Sequence, residues 1–353
     1  MKNSRINALM SVRFGVLGLV TGVFLAINPA SAQPIVISKE ISPPVSAPAL
    51  SVVDGDIHVI GADRVQWRID LHVDDVKFVV SDTRPSDGAP ANALPDGIVA
   101  RDRASGLRGW LIKPTRRYNH GVLGDRIEAA GLRIRDKHGN DFDHILNDQA
   151  VFEDRMVRFW DVTGDGRTEI VVVRSGLDAG AQLAVFELRA GNVDEIAFSQ
   201  PIGQAYRWLN PVGAADFDGD GRIEVAAVIT PHLGAVLRLF RLNQHRLEPV
   251  YNAHGFSNHG IGMRSMRLAA VIDANGDGIP DIVSPNAARN AMRVVTFAGG
   301  RFRELDRVSH RSSIVGDAVV IQRNGHPVIA YPLGNGNISL LEFPEGRVSL
   351  TKH

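Results

Sequence analysis

The sequence predicts an all-β fold, a β-propeller of four-stranded blades. Three observations lead there. An acidic nine-residue turn recurs as "DVTGDGRTE" from Asp161, "DFDGDGRIE" from Asp216 and "DANGDGIPD" from Asp273, at steps of 55 and 57 residues. Each turn sits among short runs rich in Val, Ile and Phe that read as strands. No segment of useful length after residue 32 has a helical period. Four strands per repeat at this period suit a propeller, because one blade cannot cover both of its faces and a ring of blades can.

The elements follow in order within each unit. "MVRFW", "PVGAA" and "RLAAVI" precede the three turns as first strands, and "IVVVRS", "VAAVITP" and "IVSP" follow as second strands. "QLAVFELR", "AVLRLFRL" and "AMRVVTFAG" supply third strands. "VDEIAFS", "LEPVYNA" and "FRELDRVS" supply fourth ones, with hairpin signals such as "AGN" and "AGG" before them. Two more units lack the acidic turn. They share the end of the second strand, at Pro114 and Pro332, in register with Ser175, Pro231 and Pro285. Plain turns at 101–109 and 322–327 replace the acidic one. Residues 51–82 read as a divergent sixth blade or as the strand that closes the ring. The expectation is six blades, with five or seven as alternatives and a β-sandwich as the alternative class.

The first 32 residues have Lys2, Arg5 and Arg13, an apolar run from Phe14 to Ile27, and "ASA" at 30–32. That is the pattern of a cleaved export signal, and the run is shorter than the ~20 residues that span a bilayer. A periplasmic or secreted protein is expected. Removing the leader leaves 36 Lys and Arg against 39 Asp and Glu, so neither nucleic acid nor an anionic membrane surface is an expected partner. The chain has no Cys, so a disulfide framework is excluded. Residues 33–50, rich in Pro, Ser and Ala, read as a tether before a propeller over 51–353.

The acidic turns offer oxygen at alternate positions. The first copy presents Asp161, Thr163, Asp165 and Glu169, the second Asp216, Asp218, Asp220 and Glu224, and the third Asp273, Asn275, Asp277 and Asp281. Gly at the fourth and sixth positions lets the turn curl. With the carbonyls of Arg167, Arg222 and Ile279 and water, each set reaches the 6–8 hard ligands of Ca²⁺. An EF-hand needs Glu at position 12, where this chain has Val172, Ala227 and Ser284 inside strands. No Cys and no His cluster supports a zinc site.

On these turns and their flanking strands the chain resembles the FG-GAP/VCBS repeat, the blade unit of integrin α-chain-type propellers. The resemblance is strongest over 151–308 and implies Ca²⁺ in the turn between the first and second strands of a blade. Thr163 departs from the pattern, as do the two units without the turn. The resemblance constrains fold more than function.

If those turns mark one face, ligands are expected on the other. Tyr118, His120, Arg207, Trp208, Asn210, His232, Asn258, His259 and Arg264 are placed there, with Lys113, Arg116, Arg117, Asn119, Arg174 and Arg289 nearby. Arg and amides beside aromatic rings suit carboxylates or sugar hydroxyls. The expected partner is a glycan, an anionic small molecule or another envelope protein. No nucleophile elbow or phosphate-cradling loop occurs. The alternative is an enzyme using His259 or His120 with the Arg cluster at the central mouth.

Overall fold

A computed structural model describes residues 35–61, 64–71, 75–81 and 90–343. The leader expected over residues 1–32 lies outside them. Strand β1 (Ile37–Ile41) comes first. A first antiparallel group holds β2 (Ala49–Val53), β3 (Asp56–Ile60), β4 (Gln66–Leu71) and β5 (Val76–Val80). A second holds β6 (Ala100–Arg101), β7 (Arg108–Thr115), β8 (Glu128–Arg135) and β9 (Asp141–Ile145). The short β10 (Ala150–Phe152) leads into a third, β11 (Arg158–Trp160), β12 (Glu169–Gly176), β13 (Gly180–Arg189) and β14 (Asn192–Ser199). The fourth is β15 (Leu209–Ala215), β16 (Glu224–Ile229), β17 (Val236–Asn243) and β18 (Arg246–His254). The fifth is β19 (Ala270–Ile272), β20 (Asp281–Pro285), β21 (Ala291–Thr296) and β22 (Arg303–Ser309). The last three strands are β23 (Val319–Arg323), β24 (His326–Pro332) and β25 (Ile338–Glu342).

The last group is completed from the far end of the chain. β1 pairs antiparallel with β25, from Ile37 opposite Glu342 to Ile41 opposite Ile338. Residues 37–41 are therefore a strand and not a tether, and the fold begins before residue 51. The physical reason is the bare edge that β25 would otherwise present. His310 fastens the joint, with Nδ1 2.9 Å from Glu40 and Nε2 2.8 Å from the Tyr331 hydroxyl. Strands β2, β3, β4 and β5 form a sheet of their own, so the strand that completes the last group is β1.

Cores between groups follow chain order. Val228, Leu237 and Leu239 pack with Ile282, Val295 and Phe297, joining the fourth group to the fifth. Ile57, Val59 and Ile69 pack with Val319, Ala330 and Leu340, joining the first group to the last. Strands such as β12, with "EIVVVRSG", are buried on both faces, which suits a β-branched run covered from two sides. The "AGN" signal between β13 and β14 is a tight hairpin with Ala190 at φ 49° and Gly191 at φ 83°.

The stretches 98–102, 156–160, 211–214 and 269–271, with Ala318 and Val320, line a central cavity of about 540 Å³. Loops span the axis at one end. Gly262 N–H donates to the Val122 carbonyl at 2.9 Å. Arg155 and Arg264, from two different loops, both bind the Asp96 carboxylate. Among the described residues no helix is long and apolar enough to cross a membrane.

Candidate functional site

The three acidic turns join the first strand of a group to its second, as the sequence predicts. They share one backbone device. The first Asp folds back over its own turn, with Asp161 accepting from Gly164 (2.7 Å) and Gly166 (2.8 Å) N–H. Asp216 does the same for Gly219 and Gly221, and Asp273 for Gly276 and Gly278. All six glycines have positive φ, between 74° and 86°, which explains Gly at these places. The ninth residue caps the second, through Val162, Phe217 and Ala274 N–H at 2.7, 3.0 and 3.0 Å.

Their charges are balanced differently. Asp216, Asp218 and Glu224 bring carboxylate oxygens within 4.8 Å of one another, close enough to share a cation. The Arg241 guanidinium, from β17, is already there. It binds Asp218 at 2.9 Å, Asp220 at 3.2 Å and Glu224. The strand register places Arg241 opposite Glu224. In the first turn Arg167 pairs with Asp165 at 2.6 Å. In the third turn Ile279 stands where the others have Arg, and among the described residues no ion pair reaches Asp273, Asp277 or Asp281. Asp281 is fully buried, and its Oδ1 has no hydrogen-bond partner of normal geometry. Burial, tempered by the nearby Thr296 hydroxyl, pushes its carboxyl up to about 6. Burial also raises Glu224 and Glu169 above the usual carboxylate range. Among the described residues the third turn is thus left without a positive partner, whereas the middle turn, whose carboxylates converge, already contains a cation in Arg241.

The opposite end carries a pocket of about 250 Å³, lined by His120, Tyr206, Arg207, Trp208, Thr230 and His232, with Val122, Leu233 and Ile261. Tyr206 is 47% exposed, Leu233 69% and Ile261 75%, so they form an open apolar rim. Below it, Trp208 and His232 stack with planes 10° apart. Trp208 Nε1–H donates to the Glu153 carbonyl at 2.9 Å. The Glu153 carboxylate is fully buried and bonded to both His120 Nδ1 and the Ser175 hydroxyl. Burial raises Glu153, and it pushes the neighbouring buried Glu128 up to about 9.

His232 Nε2 lies 3.1 Å from His259 Nδ1, and His259 Nε2 lies 3.0 Å from the Met263 carbonyl. Burial lowers His232 to about 4 and His259 to about 3. Both stay neutral in the folded protein while an unfolded His takes a proton near 6.5. Their contribution to stability is therefore complete above pH 6.5 and is lost as pH falls toward 4. Unfolding free energy measured from pH 7.5 to 4 is expected to fall less steeply for His259→Gln than for the wild type. Equal slopes would contradict it.

Comparison with known proteins bears on the turns. Residues 161–227 match the FG-GAP-like repeat. That span holds the first two acidic turns and the strands between them. BBS1N, solved in complex with ARL6DN, is similar in fold, with a TM-score of 0.52 and 10% identity over 87% of this chain and 97% of that one. The WD40 domain of Toxoplasma gondii coronin aligns with a TM-score of 0.42 and 11% identity over 88% of this chain and 87% of that one. No curated protein matches the sequence. The chain is an all-β propeller-type protein carrying FG-GAP-like repeats.

His120, Arg207 and His232 line the pocket, as does one edge of the buried Trp208. Tyr118, Asn210, Asn258 and His259 are buried beneath it. There they hold loops together: the Tyr118 hydroxyl accepts from Tyr206 N–H at 2.6 Å, and Asn210 Nδ2 donates to Asn258 and Met266 carbonyls. Arg264 is spent on Asp96 and Asp125, Arg174 on Glu195, and Arg117 on Asp148. Sequence reasoning passed over Glu153, Asp96 and Tyr206. The signal for Glu153 was present in "FEDRMVR", where two acids adjoin Arg155.

Proposed function

We propose that the protein is an exported β-propeller interaction module that binds Ca²⁺ in its FG-GAP-like turns and a glycan or anionic ligand on the opposite face. The observation that carries the ligand reading is the pocket, where an exposed apolar rim overlies His120, His232 and Arg207. A concave apolar site with a few fixed polar groups is the usual form of a small-ligand site. Cleavage after Ala32 would leave β1 intact, which supports export.

For the metal, Asp273, Asn275, Asp277 and Asp281 form the set most in need of positive charge, with Asp161, Asp165 and Glu169 next; the carboxylates that converge most closely, Asp216, Asp218 and Glu224, already hold Arg241. Bound Ca²⁺ would supply the positive charge that the third turn lacks. Removing Ca²⁺ with EDTA is expected to lower stability by about 1–3 kcal/mol, the scale of a site held well above its Kd. Elemental analysis should find Ca²⁺ before treatment and none after. An unchanged melting midpoint with no bound Ca²⁺ would contradict the metal reading.

A screen of glycans and anionic metabolites against the mature protein tests the ligand reading. Binding that is lost in Leu233→Ala/Tyr206→Ala supports it, and binding unaffected by this pair opposes it. A second reading, catalysis, is favoured by one contact, His120 with the buried Glu153. A carboxylate fixing one imidazole nitrogen leaves the other to act as a base. Turnover of a bound ligand that stops in His120→Ala would favour it.

A further inference from the structure

The hydrogen-bond chain beneath the pocket selects between the two ligand chemistries. A carbonyl can only accept, so His259 Nε2, at 3.0 Å from the Met263 carbonyl, carries the proton. His259 Nδ1 is then a bare lone pair. His232 Nε2, at 3.1 Å from it, must donate. His232 is left with Nδ1 unprotonated, in a ring that lines the pocket. Among the described residues that nitrogen has no partner, and it is not among the buried unsatisfied atoms. On the other wall His120 directs its Nδ1 to Glu153, which also accepts from Ser175, so its Nε2 is the ring nitrogen left for a ligand.

The pocket therefore presents one fixed acceptor, His232 Nδ1, beside one strong donor, Arg207, whose Nη1 donates to the Tyr206 carbonyl at 3.3 Å. A carboxylate or phosphate ester has no hydrogen to give His232 Nδ1. It would need that ring protonated, against the burial that keeps His232 neutral. An ammonium group could donate to that nitrogen but would face Arg207, with no carboxylate in the lining. A hydroxyl can do both tasks, donating to an imidazole nitrogen and accepting from the guanidinium. A ring bearing several hydroxyls also has an apolar face, which suits the exposed Tyr206 ring and the Leu233 side chain. At about 250 Å³ the pocket is smaller than drug-sized sites, which run from ~300 Å³, so one ring fits better than a chain.

We propose that the pocket binds one uncharged sugar ring, with one hydroxyl donating to His232 Nδ1 and another accepting from Arg207. This rests on the reading of the pocket as the ligand site and narrows its ligand class. The test is a titration of the mature protein, with imidazole nitrogens labelled with ¹⁵N, at pH 7.5. The probes are glucose, galactose and N-acetylglucosamine, then glucuronate, galacturonate, glucose 6-phosphate and glucosamine. His232 Nδ1 is expected to be unprotonated before addition. A neutral sugar should shift its signal and bind at least ~10-fold more tightly than its acidic counterpart, the loss of one good hydrogen bond to a charged mismatch. His232→Phe should lose the preference. Leu233→Ala, at an exposed position, should weaken binding without unfolding the protein.

An acidic sugar binding more tightly than its neutral parent, with the same His signals shifting, would overturn the inference and leave the pocket as the ligand site. A protonated His232 Nδ1 at pH 7.5 would also overturn it. If none of the probes moves the His120 or His232 signals, while a ligand from the wider screen does, the sugar assignment alone fails. If no ligand of any class moves them, both the assignment and the pocket reading fail.

Discussion

Replacing Arg241 with Met is expected to destabilise the protein by about 3–5 kcal/mol in EDTA, the cost of breaking a buried ion pair on one side. The Arg241 side chain is 14% exposed, Asp218 5% and Glu224 0%. Without the guanidinium, Asp218 and Glu224 face one another with little water between them, where like charges repel far more than at the surface. The variant also creates a vacancy for a cation among these carboxylates. Added Ca²⁺ should therefore restore much of the lost stability to Arg241→Met, by a larger margin than it adds to the wild type. Urea unfolding of both proteins, in EDTA and in excess Ca²⁺, measures this. A variant equally unstable in both conditions would mean that Arg241 does not stand where a cation would.

Asp154→Ala is the second substitution with a large expected effect, again about 3–5 kcal/mol. Asp154 is fully buried and holds Arg158, itself 5% exposed, through contacts of 2.6 and 3.3 Å. It also accepts from the N–H groups of Val173 at 3.0 Å and Arg155 at 2.9 Å. Removing the carboxylate takes the acid partner from a buried guanidinium and the acceptor from three backbone N–H groups, of Val173, Arg155 and Met156, each with its own desolvation cost. Asp148→Ala is the control. Asp148 is 93% exposed and pairs with Arg117 at 2.7 Å, and an exposed pair contributes about 1 kcal/mol or less. Similar losses in the two variants would contradict the importance of the buried pair.

Much of the fold was legible because its marks are local. Gly at the fourth and sixth places of each turn needs positive φ, and that requirement is written into three copies of one motif. Strand runs such as "IVVVRS" and "AVLRLFRL" fall where β12 and β17 are found. β1 was not legible, because "ISKEI" is half polar and its partner β25 lies some 300 residues away in the chain. Arg241 was hidden for a related reason. It reads as one more alternating residue of a strand, and only the ladder register brings it opposite Glu224. The most acidic turn, "DFDGDGRIE", thus proves to hold the Arg241 guanidinium of β17 among its carboxylates, while "DANGDGIPD", with Ile279 in place of Arg, is left short of positive charge. On the other face the sequence picked out loops that come together around the pocket. It could not separate His120, Arg207 and His232, which reach the pocket, from Asn210, Asn258 and His259, which are buried under it. Burial there depends on loops meeting across the axis, and no spacing in the sequence encodes that.

Calorimetric titration of Ca²⁺ into the EDTA-stripped protein, beside Asp281→Asn, tests whether the acidic turns bind metal. The wild type is expected to take up Ca²⁺, Asp281→Asn to bind one ion fewer, and Arg241→Met to gain a site. A wild type that takes up no Ca²⁺, or an Asp281→Asn titration that superimposes on the wild type, would contradict this expectation.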